Sequence, residues 1–178
     1  MPDDIELTAN REKETLRVAC FTGHRDIPDN EITQVPALLE WVIRKLYERG
    51  VREFRTGGAW GFDTAAAIQV LHMKQIYADI RLTLILPCAD QTDRWKPQMK
   101  TVYERIKGAA DEVRVLYERY TPWCMHERDR ELVNGSDVCV AYCARSSGGA
   151  AYTVSYAMEH GVRVINLYER IKGGKRDE

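Results

Sequence analysis

Three stretches of the chain combine residue types that hold anions or move protons. The first is Arg55-Thr-Gly-Gly-Ala-Trp-Gly-Phe-Asp63, followed directly by Thr64-Ala-Ala-Ala67. An apolar-led segment (Val51 to Phe54) enters it, and a helix-patterned one leaves it, with Phe62, Ala66, Val70, Met73 and Tyr77 on one face. Strand, glycine turn and helix start together aim unpaired backbone N–H groups and a positive dipole end at a ligand. Gly57, Gly58 and Gly61 allow close approach to the main chain, and with Ala59 and Trp60 they form one candidate binding loop. The loop has no Lys-Ser/Thr of a Walker A motif and is not a full G-x-G-x-x-G fingerprint. A purely structural turn with a helix cap would use much the same composition.

The second stretch is Thr22-Gly-His-Arg25 and the third is Arg145-Ser-Ser-Gly-Gly149. Arg25 offers a planar fork for phosphate or carboxylate, or else pairs with Asp26 or Asp29 at the surface. His24 reads as a ligand contact, an acid–base group or a hydrogen-bonded turn residue. Ser146, Ser147, Gly148 and Gly149 make a phosphate cradle of hydroxyls and amides, or a simple helix cap. Asp63 needs a sign argument, because a carboxylate at a helix N-terminus repels a phosphate bound there. It is therefore a cap, an acceptor for a ribose hydroxyl or a general base, and it is the best candidate for a catalytic carboxylate.

Other groups are less specific. Trp60, Trp95, Trp123 and Tyr152 stand in or beside these loops, as stacking partners for a base or as lids over the core. Cys124, His126, Cys139 and Cys143 match no standard zinc spacing, so no metal is expected. Glu127, Arg128 and Arg130 are either a solvated helix face or a rim of the site.

The elements that must position these loops follow from hydrophobic patterning. Strands are predicted at 16–21, 51–54, 80–86 (ended by Pro87), 112–116, 137–142 and 162–167. Helices are predicted at 32–49, after the first glycine stretch, at 93–107, from Thr121-Pro122 through Val133, and from the third stretch through His160. Six strands alternating with five helices imply a three-layer, doubly wound, mainly parallel Rossmann-like sheet in a single domain. Ligands of such sheets bind at the carboxyl ends of the strands, where all three stretches fall. Residues 1–15 read as a flexible arm, 16–168 as the domain, and 169–178 as a flexible tail. The hexapeptide Tyr-Glu-Arg-Ile-Lys-Gly at 103–108 and 168–173 has unmatched flanks and reads as coincidence.

A net charge of −1 argues against a large phosphate footprint, so nucleic acid is not the expected partner. Five cysteines in no disulfide spacing suit a reducing cytosol. The residues near Met1 resemble no signal peptide, and no apolar run reaches membrane-spanning length, so a cytoplasmic protein is expected.

Thr22-Gly-His-Arg25, Gly57-Gly-Ala-x-Gly-x-Asp63 and Ser147-Gly-Gly-Ala-Ala-Tyr-Thr-Val-Ser-Tyr-Ala157 together resemble the SLOG superfamily of Rossmann-like nucleotide-binding proteins, closest to its YpsA-like branch. The resemblance covers about residues 16–167. That superfamily includes the Smf/DprA DNA-processing proteins, the LOG-type phosphoribohydrolases and nucleotide sensors of bacterial and phage-linked defence. It implies a nucleotide or nucleotide-derived ligand held between the two glycine turns, adds Thr153 to the candidate contacts, and implies a homodimer. The Pro-Gly-Gly-x-Gly-Thr-x-x-Glu motif of LOG enzymes places its catalytic glutamate on Ser155 here. A sensor or regulatory module without turnover is therefore expected first. A LOG-like hydrolase of nucleotide N-glycosides using Asp63, or Glu127 in its place, is the alternative. No cofactor is expected.

Overall fold

The computed structural model describes residues 15–173. Its strands are β1 (Val18–Gly23), β2 (Glu53–Thr56), β3 (Arg81–Cys88), β4 (Glu112–Tyr117), β5 (Val138–Tyr142) and β6 (Arg163–Asn166). They form one parallel sheet in the order β4-β3-β2-β1-β5-β6. The helices are α1 (Asp29–Ile32), α2 (Val35–Glu48), α3 (Phe62–Ile76), α4 (Pro97–Ala109), α5 (Cys124–Val133), α6 (Gly149–Glu159) and α7 (Leu167–Gly173). This is the three-layer Rossmann-like arrangement that the patterning implies.

The layers follow from which strand residues are apolar on which side. Phe21, Phe54, Leu82, Leu84 and Leu86 pack under Leu39, Val42, Ile43 and Leu46 of α2 and Phe62, Ala66, Val70 and Met73 of α3. Tyr103 and Ile106 of α4 and Leu167 and Ile171 of α7 extend that larger core. The other face carries a smaller one, with Cys20, Ile85 and Cys139 under Leu132 and Val133 of α5 and Ala157 of α6. Each large apolar side chain so buried contributes about 1.5–3 kcal/mol.

The two-sided covering also explains the topology. From β1 to β4 the chain steps steadily across the sheet, then returns through α5 to place β5 on the other side of β1. Right-handed crossovers put helices of the outward run on one face and those of the return on the other. Strand order therefore reverses between β1 and β5, whose ends pair Thr22 with Ala141 and Gly23 with Tyr142. A crevice at that reversal is the standard ligand position in such sheets.

Five details differ from the sequence-based expectation. The helix foreseen at 32–49 is split, with the short α1 ahead of α2. Pro87 does not end β3, which runs on to Cys88. β2 has ended at Thr56, opposite Leu84, so that edge holds no ladder for a proline to interrupt. The helix foreseen from Asp93 begins at Pro97, because 90–95 form successive turns in which the Asp93 amide donates to the Asp90 carbonyl and the Trp95 amide to the Thr92 carbonyl. The expected Thr121 cap is not made, since α5 starts at Cys124 and the Thr121 hydroxyl has no partner among the described residues. Finally, the tail expected to be flexible from 169 is helical in α7 through Gly173. Buried Ile171 and a bond from Lys172 to the buried Glu31 carboxylate hold it down. Residues 1–14 of the expected arm and 174–178 of the tail lie outside the described residues.

Candidate functional site

A cleft of about 460 Å³ opens at the C-terminal ends of β1 and β5. The loop after β1 lines it with Thr22, Gly23, His24 and Arg25, and the turn after β5 with Arg145, Ser147, Gly148 and Gly149. Ala59 and Asp63 reach it from the first glycine turn and the start of α3. The fourth wall is α5, through Met125, His126, Arg128, Asp129 and Leu132.

His24 fastens these loops together. Its amide donates to the Tyr142 carbonyl at 3.3 Å, and its carbonyl accepts from the Phe62 amide at 3.1 Å. Its ring nitrogen Nε2 accepts from the Ala144 amide at 2.8 Å. Burial, reinforced by the charge of Arg145, holds its pKa below the usual histidine value, so the ring is neutral at pH 7. With Nε2 accepting, the proton sits on Nδ1. No described residue is bonded to that nitrogen.

The floor of the cleft is polar and buried. The Arg128 guanidinium donates to the Gly57 carbonyl and, through Nε at 2.8 Å, to Asp129 Oδ1. Arg128, Asp129 and Asp63 are 7%, 5% and 5% exposed. Asp63 Oδ2 accepts from the Ala59 amide over a long 3.4 Å. Burial pushes the Asp63 carboxyl up to about 6, against the pull of Arg128 and with added repulsion from Asp129. Near neutral pH that carboxyl can therefore give or take a proton.

The mouth carries two cations, Arg25 and Arg145, and one exposed carboxylate, Asp26. Arg25 and Arg145 are exposed, and neither forms an ion pair among the described residues, so the surface pairing of Arg25 with Asp26 or Asp29 is not made. Gly148 takes φ +96, where a side chain is strained, yet the space its Cβ would occupy is empty. The second glycine turn thus faces open volume at the N-terminus of α6.

Six expected contacts do not line the cleft: Gly57, Gly58, Trp60, Gly61, Ser146 and Thr153. Trp60 packs edge-on to Trp95, ring centres 6.3 Å apart, and Trp95 against Tyr103. Gly57 and Gly61 serve packing instead. A Cβ on Gly57 would stand 2.7 Å from Arg128 Cζ, and one on Gly61, at φ +95, would stand 2.6 Å from Arg25 Cα. Thr153 is fully buried, its hydroxyl donating to the Gly149 carbonyl at 2.9 Å. Ser155 is exposed on α6, and Glu127 accepts from the Tyr117 hydroxyl at 2.6 Å away from the cleft. Asp129 is instead the second carboxylate, with Oδ2 4.0 Å from where a Cβ of Gly149 would stand.

Sequence reasoning did not assign Asp129, Met125 and His126 to the site and left Arg128 between a solvated face and a rim. One signal was available: Cys124, Arg128 and Leu132 fall at i, i+4 and i+8, so an arginine interrupts the buried stripe of α5. His126 also stacks flat on Tyr152, centres 4.1 Å and planes 10° apart, and Arg130 donates to the Tyr152 hydroxyl at 3.0 Å. Among the described residues no three His, Cys, Asp or Glu side chains are grouped to hold a metal ion.

The family model described as the YspA SLOG family matches residues 21–168, which include every one of these loops. The chain belongs to that family. It is 29% identical over 119 residues to a UPF0398 protein of Brevibacillus brevis, a match covering 64% of this chain and 56% of that one. A UPF0398 protein of Oceanobacillus iheyensis is 27% identical over 134 residues, covering 70% and 72%. Among solved structures, the single-stranded DNA-binding DNA processing protein A of Helicobacter pylori superposes with a TM-score of 0.58 at 18% identity, over 85% of this chain and 65% of that one. That likeness is one of fold. The SLOG chain thus spans only about half to two-thirds of two of these three proteins. No described helix is long and apolar enough to cross a membrane.

Proposed function

We propose that the cleft binds a nucleotide or nucleotide-derived small molecule and that the protein acts as a sensing or regulatory module. One observation carries this reading: at the reversal of strand order, two unpaired arginines, an open glycine turn and the His24 ring converge on one cavity. Its volume suits a mononucleotide-sized ligand. The guanidiniums and the α6 amides supply what a phosphate needs. The flat His126–Tyr152 pair beside it offers a surface for a base. Calorimetric titration of the full chain with ribonucleoside mono- and diphosphates tests the reading. Saturable binding, weakened at least about tenfold by Arg145→Ala, is expected. Heat-silent titrations with the whole panel would overturn it.

A second reading rests on Asp63, whose carboxyl is pushed up to about 6 beside a second carboxylate. Such a group could activate water against an N-glycosidic bond while the base departs. Release of free base, detected by chromatography and abolished by Asp63→Asn, would support hydrolysis; intact nucleotide after prolonged incubation would rule it out and leave binding untouched. The net charge of −1 favours a small ligand over a single strand of DNA. A steeply salt-dependent oligonucleotide titration would reverse that preference.

A further inference from the structure

The charges of the cleft are layered, and the layering orients whatever enters it. Both unpaired cations, Arg25 and Arg145, stand at the exposed mouth, outnumbering the one exposed carboxylate there, Asp26, which water screens. Both buried carboxylates, Asp63 and Asp129, stand at the floor around a single buried cation, Arg128, which already spends its Nε on Asp129. A phosphate driven to that floor would meet two anions for one engaged cation in a water-poor space, where repulsion is poorly screened. Asp129 Oδ2 also lies close to Gly149, so the inner side of the α6 N-terminus already faces a carboxylate. The phosphate is left with Arg25, Arg145 and the Ser147–Gly148 side of the turn. What buried carboxylates do accept is a hydroxyl proton, and two of them side by side accept two.

We propose that the ligand enters sugar-first, with its phosphate at the arginines and a ribose 2′,3′-diol donating to Asp63 and Asp129, so that the cleft selects ribonucleotides over 2′-deoxyribonucleotides. The His24 ring lines the same cavity, its Nε2 accepting from the Ala144 amide. A monophosphate needs no cation deeper in, which agrees with Arg128 being already committed to Gly57 and Asp129. The inference rests on the nucleotide reading and adds the sugar and its orientation to it.

The test is calorimetry on the full chain with matched pairs, adenosine 5′-monophosphate against its 2′-deoxy analogue and the corresponding guanosine pair. The wild type is expected to bind the ribo form at least about tenfold more tightly, since losing the hydroxyl leaves a buried acceptor without its donor. Asp129→Asn, checked for folding by circular dichroism, should retain binding and shrink that ratio. Equal affinities within each wild-type pair overturn the sugar-first inference and leave the nucleotide reading standing. No binding by either form overturns both. A well-folded Asp129→Asn that keeps the full ratio removes Asp129 from the diol site and overturns the two-carboxylate assignment.

Discussion

The two glycine turns look alike as sequence and differ as structure. The first, Gly57 to Gly61, is filled: its carbonyl at Gly57 takes the Arg128 guanidinium, and Gly61 lies against the backbone of Arg25. The second, Ser147 to Gly149, is open: nothing lies within 4 Å of where a Cβ on Gly148 would stand. Glycine is required in one place because the protein packs there, and in the other because the chain turns with space left over. The lesson is that glycine marks close backbone approach without naming the approaching group. Here that group is the protein's own arginine at the first turn and, on our reading, a ligand at the second.

Gly61→Ala should produce the largest change. It combines a strained φ with a backbone clash, and should cost about 3 kcal/mol or more of stability in urea unfolding. A loss below about 1 kcal/mol would mean the first turn is not the packed one. Asp63→Asn sharpens the contrast in the opposite direction. The carboxyl is held up to about 6 against its ordinary 3.8, so its contribution to stability is full below pH 4 and is lost as pH rises through 6. The asparagine variant should therefore be more stable than wild type at pH 8, by up to about 3 kcal/mol, and little changed at pH 4. A variant less stable at pH 8 would show that the ionised carboxylate is instead held by Arg128.

Gly148→Ala should cost only about 1 kcal/mol, from the φ alone, while weakening nucleotide binding. A clash-sized loss of stability there would erase the distinction between the turns. Arg145→Ala has the smallest effect on folding, within about 0.5 kcal/mol, since the side chain is exposed and unpaired. Its effect should appear in affinity alone.

Much of this was legible in the chain. The apolar runs of β1, β3 and β5, such as Ile80-Arg-Leu-Thr-Leu-Ile-Leu86, have the composition of strands covered on both faces, and they fixed the fold class. The cleft lining after β1 and β5 is legible because Arg25, Arg145 and Gly148–Gly149 occur where strand patterning stops. Trp60 packs on Trp95 and does not line the cleft; an aromatic in a glycine loop is equally suited to a base and to another ring, and only tertiary position separates them. Asp129 and Arg128 were hidden by their neighbours: Glu127, Arg130 and Glu131 make the segment read as a solvated face. α7 was missed although its hexapeptide recurs within α4, where Tyr103 and Ile106 are buried much as Ile171 is in α7. The shared residues reflect a shared helical pattern with one apolar side.

The central claim is that the open turn, the β1 loop and α5 enclose one nucleotide site. An amide NMR titration of the full chain with adenosine 5′-monophosphate tests it most directly. Saturable shifts grouped at 22–26, 125–129 and 145–150, with Trp60 and Trp95 unmoved, are expected. Shifts centred on the first glycine turn and its tryptophans, or a spectrum unchanged by nucleotide, would contradict it.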